Sequence, residues 1–288
     1  MAFKIIVCAK QVPDTNEIKI DPVKKTLIRE GVPSILNHDD ANALEEALKI
    51  KDKYPDTHIT VVTMGPPQAK EMLVECLAMG ADEAVLASDR ALGGSDTWAT
   101  SNAVSAAIDK LDGYDLIFAG RQAIDGDTAQ VGPQVAEKLN IPQITYAEEI
   151  QSVENKIVRI KRRLERGIEI VEGKLPLLVT VNGSAPECRP RNAKLIQKYK
   201  HAQTITEKQA EDADYTNLSD LRPYLNLPEW SVNDVNADVK QCGLSGSPTK
   251  VKKIESVVFQ AKESKTLQDS DQEIEDLMIE LITNHTIG

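Results

Sequence analysis

The sequence predicts a doubly wound α/β fold: a parallel sheet with helices on both faces, a β-hairpin extension, and a C-terminal arm ending in a helix. Three observations carry this. From Lys4 to Leu139, short apolar runs alternate with helix-period patterns, the order of a parallel sheet. Loops rich in glycine, proline or asparagine follow these runs, where open α/β sheets place their ligands. After Ile144 the pattern turns charge-rich and alternating, and from Lys208 it is polar with little period.

Lys4–Ala9 is β-rich and apolar and opens the sheet. Residues 17–29 place Ile18, Ile20, Leu27 and Ile28 around Asp21-Pro22 and predict a hairpin. Asn37-His38-Asp39-Asp40 introduces a helix with Ala41, Leu44, Ala47 and Leu48 on one face. Its acids suit the positive end of the helix dipole, and Asn37 can either cap it or face a ligand. Thr57–Met64 is the second strand, stopped by Gly65-Pro66-Pro67. The next helix carries Ala69, Met72, Leu73, Cys76 and Leu77 at helical spacing. Glu83–Leu86 is the third strand. Asp96 is the expected N-cap of a helix with Thr100, Val104, Ala107, Ile108 and Leu111 on one face, and Asp115–Ala119 is the fourth strand. Ala9, Met64, Gly65, Asp96 and the 120–132 loop all follow strand ends, so they should meet at one edge of the sheet. Residues 149–171 predict a hairpin with a basic face (Arg159, Lys161, Arg162, Arg163, Arg166), and Leu175–Val181 a buried strand. Residues 187–200 predict an exposed amphipathic helix or turn, 208–246 an extended arm, and Lys250–Phe259 a strand. Asp271–Thr283 closes as a helix striped by Ile274, Leu277, Met278, Leu281 and Ile282.

Composition narrows the function. With 288 residues, 41% hydrophobic and 27% charged, a packed core is expected. A net charge of −11 and only 4% aromatics weigh against nucleic acid. No apolar run is long enough to cross a bilayer and no signal peptide opens the chain, so the cytoplasm is the expected compartment. Cys8, Cys76, Cys188 and Cys242 are widely separated, without zinc or iron–sulfur spacing. No residue set suggests acid–base or nucleophilic catalysis. Gly93-Gly94-Ser95-Asp96 matches half of the SGGxDS loop of nucleotide α-hydrolases, but it follows the third strand instead of the first.

The central stretch is GRQAIDGDTAQVGP, residues 120–133. It joins an apolar strand to a helix, and it has neither the GxGxxG nor the GxxxxGK[ST] pattern. Gly126 and Gly132 permit close backbone approach. Asp127 and Gln130 have capping-box spacing, but a helix starting near Gly132 with Pro133 first is better formed. Thr128 to Val131 then make a turn whose N–H groups can meet a phosphate.

This loop resembles the nucleotide-binding loop of the β subunits of electron-transferring flavoproteins. The opening KIIVCAKQVPDT, then IKRRLERGIEIVEGKLPLLVTV and ECRPRNAKLIQ, resemble the same family in the same order. The resemblance implies a Rossmann-like domain over residues 1–205, with residues 206–288 as an arm and helix docking on an α subunit. It implies a cofactor held by Ala9, Asn37, Met64, Gly65, Asp96, Thr97, Gln122, Asp125, Gly126, Asp127, Thr128, Ala129, Gln130, Val131 and Gly132. That cofactor is FAD in the bifurcating branch, with NADH as electron donor and ferredoxin as one acceptor, or AMP in the other branch. AMP-type members carry a loop such as DxCNQTG after the aspartate; GDTAQVG departs from it toward the FAD branch. ECRPRNAKLIQ matches the loop that meets an acyl-CoA dehydrogenase-type flavoprotein, with Leu195 as anchor beside Ile196. An ATP-binding module of the stress-protein type is the weaker alternative.

Overall fold

The computed structural model describes residues 2–14, 33–210, 218–250, 264 and 266–287. The chain divides into two compact units, Met1–Lys250 and Val251–Gly288. The hairpin expected at 17–29 and the strand expected at 250–259 lie, the latter but for Lys250, outside the described residues.

The first unit is built on β1 (Lys4–Cys8), whose Ile-Ile-Val run suits a strand covered on both faces. A short antiparallel pair, β2 (Gln11–Pro13) and β3 (Ser34–Leu36), follows it. Next come α1 (His38–Lys53), β4 (His58–Met64), α2 (Lys70–Met79), β5 (Glu83–Ala87), α3 (Thr97–Asp109), β6 (Leu116–Gly120) and α4 (Val131–Lys138). β4 pairs in parallel with one side of β1, and β6 with the other. The chain therefore winds outward through β4 and β5, then returns across β1 to β6. This makes β1/β6 a switch point, and the crevice beyond the carboxyl ends of two such strands is where open sheets bind ligands.

Strand alternation explains why helices cover both faces. Ile5, Val7, Ile59, Val61, Leu116 and Phe118 belong to one core with Leu44, Ala47 and Leu48 of α1 and Leu73 and Cys76 of α2. Ile6, Val62, Val85 and Ile117 belong to a second core with Val104, Ala107 and Ile108 of α3 and Val135 and Ala136 of α4. Each fully buried aliphatic side chain contributes roughly 1.5–3 kcal/mol, so these two layers dominate the unit's stability.

The expected hairpin at 149–171 is a three-stranded meander: β7 (Gln143–Glu154), β8 (Ile157–Leu164) and β9 (Gly167–Lys174). β10 (Leu177–Val181) bridges it to β6, so all of these strands continue one sheet. The basic residues of β8 are paired, Lys161 and Arg163 with Glu148, Arg162 with Glu169 and Arg159 with Glu172.

α5 (Ala193–Tyr199) is the expected amphipathic helix. Asn192 caps it by accepting from the Lys194 and Leu195 N–H groups. Arg189 straps the preceding turn to α1 through Glu45 and Asp52, and Arg191 pairs with Glu75 of α2.

The stretch expected as an extended arm, 208–246, carries buried apolar residues where it is described. After α6 (Ile205–Ala210) and α7 (Leu218–Leu221), Leu225, Leu227, Val232, Val235 and Cys242 are buried, and β11 (Glu229–Trp230) adds to β5 at the sheet edge. Isolated apolar residues seat this stretch, and they leave no period to read. α8 (Gly243–Gly246) ends it. In the second unit, α9 (Asp271–Thr283) has the expected bounds; Ser270 caps it by accepting from the Glu273 N–H. None of its residues is buried, and Ile274, Met278 and Ile282 are about half exposed.

Candidate functional site

The carboxyl ends of β4, β1 and β6 lie side by side, and the loops leaving them meet. Ala9, just past β1, is buried and donates to Val62 O. Met64 ends β4 half-buried between the second core and a small cluster of Leu92, Ala103, Val232 and Cys242. Gly65 follows and donates to Ala87 O. Asp96 caps α3 by accepting from the Ala99 N–H. Thr97, first in α3, donates to Gln130 Oε1 at 2.9 Å, so the 96–97 step touches the 120–132 loop.

Asn37 neither caps α1 nor stands free. Its buried side chain donates to Gln122 O at 2.9 Å and accepts from the Ile124 N–H at 3.2 Å. Asp40 corrects its expected dipole role. Its carboxylate accepts from the Gly120 N–H at 2.8 Å and the Lys10 N–H at 2.9 Å, tying the ends of β6 and β1 to α1. Burial pushes the Asp40 carboxyl up to about 7, against the pull of the Gly120 and Lys10 N–H groups. Asp39 is also raised by burial, with Arg121 pulling it back. Burial likewise pushes the Cys8 thiol up to about 12, which keeps it unreactive beside this edge.

The carboxylates of the loop are satisfied within the protein. Asp125 pairs with Lys10 Nζ at 2.5 Å, and Asp127 accepts from Gln122 Nε2 at 2.5 Å. Neither Asp127 nor Gln130 caps α4, because both side chains are engaged elsewhere. α4 begins at Val131, two residues before Pro133, the expected first helical residue, with Gln130 at the cap position but making no side-chain cap bond. Pro133 then falls in the first turn, where no intrahelical acceptor awaits its missing N–H.

Asp127 and Ala129 both have φ of 52°, and Gln130 returns to the right-handed region at φ −107° and ψ −28°. A residue at positive φ followed by one in the right-handed region is the backbone alternation found in anion-binding nests. Among the described residues, no protein acceptor meets the N–H groups of Thr128 to Val131. A Cβ at Gly126 would meet nothing within 4 Å, so the loop is open there. Gly132 is closed: a Cβ would lie 2.8 Å from Thr180 Cγ2, so its glycine serves helix packing.

Sequence reasoning missed Lys10, Asp40 and Gln134. Gln134 donates to Thr97 Oγ1 at 3.4 Å, while its buried Oε1 has no partner among the described residues. Its place one turn after Gln130 was the available signal. Leu195 and Ile196 stand apart on α5, which packs along α2. Leu195 is half-buried against the main core, and Ile196 is 39% exposed. No helix of the described residues is long and apolar enough to cross a membrane.

Comparison with known proteins gives the family. Residues 24–212 match the model of the electron transfer flavoprotein domain. Over 251 residues, 87% of each chain, the sequence is 52% identical to the electron transfer flavoprotein subunit beta of Clostridium acetobutylicum. It is 50% identical, over 86% of each chain, to subunit CarD of the caffeyl-CoA reductase–Etf complex of Acetobacterium woodii. Protein FixA of Azotobacter vinelandii is 39% identical over 97% of this chain and 95% of its own. With the family model matched over residues 24–212 and about half of the aligned positions identical to beta-subunit relatives, the chain belongs to the electron transfer flavoprotein family, as a beta subunit.

Proposed function

We propose that this chain binds FAD at the 120–132 loop, takes electrons from NADH, and passes them by bifurcation to ferredoxin and, through the FAD of an α subunit, to an acyl-CoA dehydrogenase-type flavoprotein. The observation that carries the reading is the row of N–H groups from Thr128 to Val131, without acceptors among the described residues, beside carboxylates already neutralised by Lys10 or engaged by Gln122. A pyrophosphate fits this row: the donors are preorganised and no free carboxylate repels it. The open side of Gly126 leaves room for backbone approach, and Gln134 Oε1 offers an acceptor to a ribose hydroxyl or base. FAD, when bound, supplies the redox chemistry, and the protein supplies binding and orientation. Asn37 and Asp40 hold the loop's shape, and Thr97 and Gln130 hold its far end. The AMP-type loop pattern is absent, and the kinship with a subunit of a caffeyl-CoA reductase–Etf complex favours FAD and a reductase partner.

On the same reading, Leu195 and Ile196 take the partner flavoprotein, with Ile196 offering the open side. The apolar stripe of α9 docks on the α subunit, and the complex works in the cytoplasm.

The test is the cofactor content of the purified heterodimer. Two FAD per heterodimer and rapid anaerobic bleaching by NADH are expected. One FAD with stoichiometric AMP, and no bleaching, would establish the alternative AMP-type subunit. Gly126→Val should fold normally, since nothing in the protein lies within 4 Å of the added Cβ. Flavin content should fall from two to one while the melting midpoint of the apoprotein is unchanged. Full flavin retention by this variant would remove Gly126 from the site.

A further inference from the structure

We infer that Asp96 is a positioning residue that couples the nucleotide loop to the point where the chain leaves the first unit, through a latch to Thr249. The inference rests on the nucleotide reading of the 120–132 loop.

Asp96 divides its carboxylate between two tasks. Oδ1 accepts from the Ala99 N–H and caps α3. Oδ2 accepts from both the Thr249 N–H at 2.9 Å and the Thr249 hydroxyl at 2.6 Å. Around this pair, residues 243–249 grip the Gly93–Asp96 turn. The Leu244 N–H donates to Gly93 O, the Gly243 N–H to Ser95 Oγ, and the Asp96 N–H to Ser247 Oγ. Gly243, at φ 62°, is pressed against Ala91 O, where a side chain has no room. On the other side of Asp96 stands Thr97, which donates to Gln130 and accepts from Gln134. The Gln130 N–H belongs to the unpaired row at the nest.

One path therefore runs from the nest through Gln130, across its hydrogen bond to Thr97, along the chain to Asp96 and across the latch to Thr249, one residue before the first unit ends at Lys250. A ligand that fixes Gln130 also restrains the first turn of α3, and with it the acceptor that holds Thr249. Linkage makes the effect reciprocal: loosening the latch must weaken the ligand by the same factor by which the ligand tightens the latch.

Asp96→Asn separates the two tasks. Asparagine caps helices as well as aspartate, so Oδ1 keeps Ala99. Its amide, however, turns a donor toward the Thr249 N–H. Thr249→Val removes the hydroxyl contact at nearly constant volume and leaves α3 untouched. The experiment is amide hydrogen exchange by mass spectrometry on the purified protein with its copurifying partner, stripped of nucleotide, then with added FAD or AMP. In the unmodified protein, either nucleotide should slow exchange at 128–132 and at 243–249, the latter by about fivefold or more. In both variants, slowing at 128–132 should persist and slowing at 243–249 should shrink, less in Thr249→Val, which keeps its backbone N–H on Asp96, while nucleotide affinity falls by about the factor lost. If 128–132 slow and 243–249 do not in the unmodified protein, or if both variants keep the slowing at 243–249 undiminished, the coupling is wrong and the nucleotide reading stands. If neither segment slows, both fall.

Discussion

Gly120→Ala is expected to lower the stability of the chain by roughly 3 kcal/mol, the sum of overpacking and a lost buried hydrogen bond. Gly120 is the last residue of β6, and the first turn of α1 lies directly on it. An added Cβ would stand 2.7 Å from both Asp39 C and Asp40 N, and would overlap Asp40 Oδ1. The first two are helix backbone, so no rotamer change relieves them. α1 cannot retreat, because Leu44, Ala47 and Leu48 are fixed in the main core. The Gly120 N–H would also lose its 2.8 Å bond to Asp40. For a unit of this size the melting midpoint should drop by about 6–12 °C. Because the loop begins at this residue, cofactor retention should fall with it. Urea titration measures the change, and a loss below about 1 kcal/mol would mean that α1 moves more freely than its packing indicates.

Asp40→Asn carries the second large effect, and its pH dependence has a definite sign. The amide nitrogen must oppose either the Gly120 or the Lys10 N–H, leaving a buried donor unsatisfied at a cost of roughly 1–3 kcal/mol. The ordinary carboxyl value is 3.8, and burial raises Asp40 to about 7 in the folded chain. Between these values the folded state binds a proton that the unfolded chain has released. The stabilisation is therefore complete below about pH 4 and is lost as pH rises through about 7. Asparagine does not titrate. The stability gap between the two proteins should be wider at pH 5 than at pH 8. A gap that grows toward pH 8 would show instead that the two donors hold the ionised carboxylate and overcome burial. Denaturant titrations of both proteins at the two pH values decide between these outcomes.

The sequence by itself determined the sheet's alternation from Lys4 to Leu139, the cap at Asp96, and the bounds of α9. It also placed the 120–132 loop at a strand end of the sheet. All of these are short-range: a side-chain period of two or 3.6, a cap and a glycine act within a few residues. Tertiary structure alone decided what holds the loop. Asp40 looked like any acid at a helix start, because its partner Gly120 is 80 positions away. Asp125 has its partner Lys10 115 positions away, which no local pattern links to the loop. Residues 208–246 read as an extended arm, because β11 is two residues long and the buried anchors of this stretch are isolated. Thr249 meets Asp96 across 153 positions. Such contacts depend on how strands and helices are brought side by side, and a buried hydrogen bond between distant residues leaves no period in the chain that a local reading can detect.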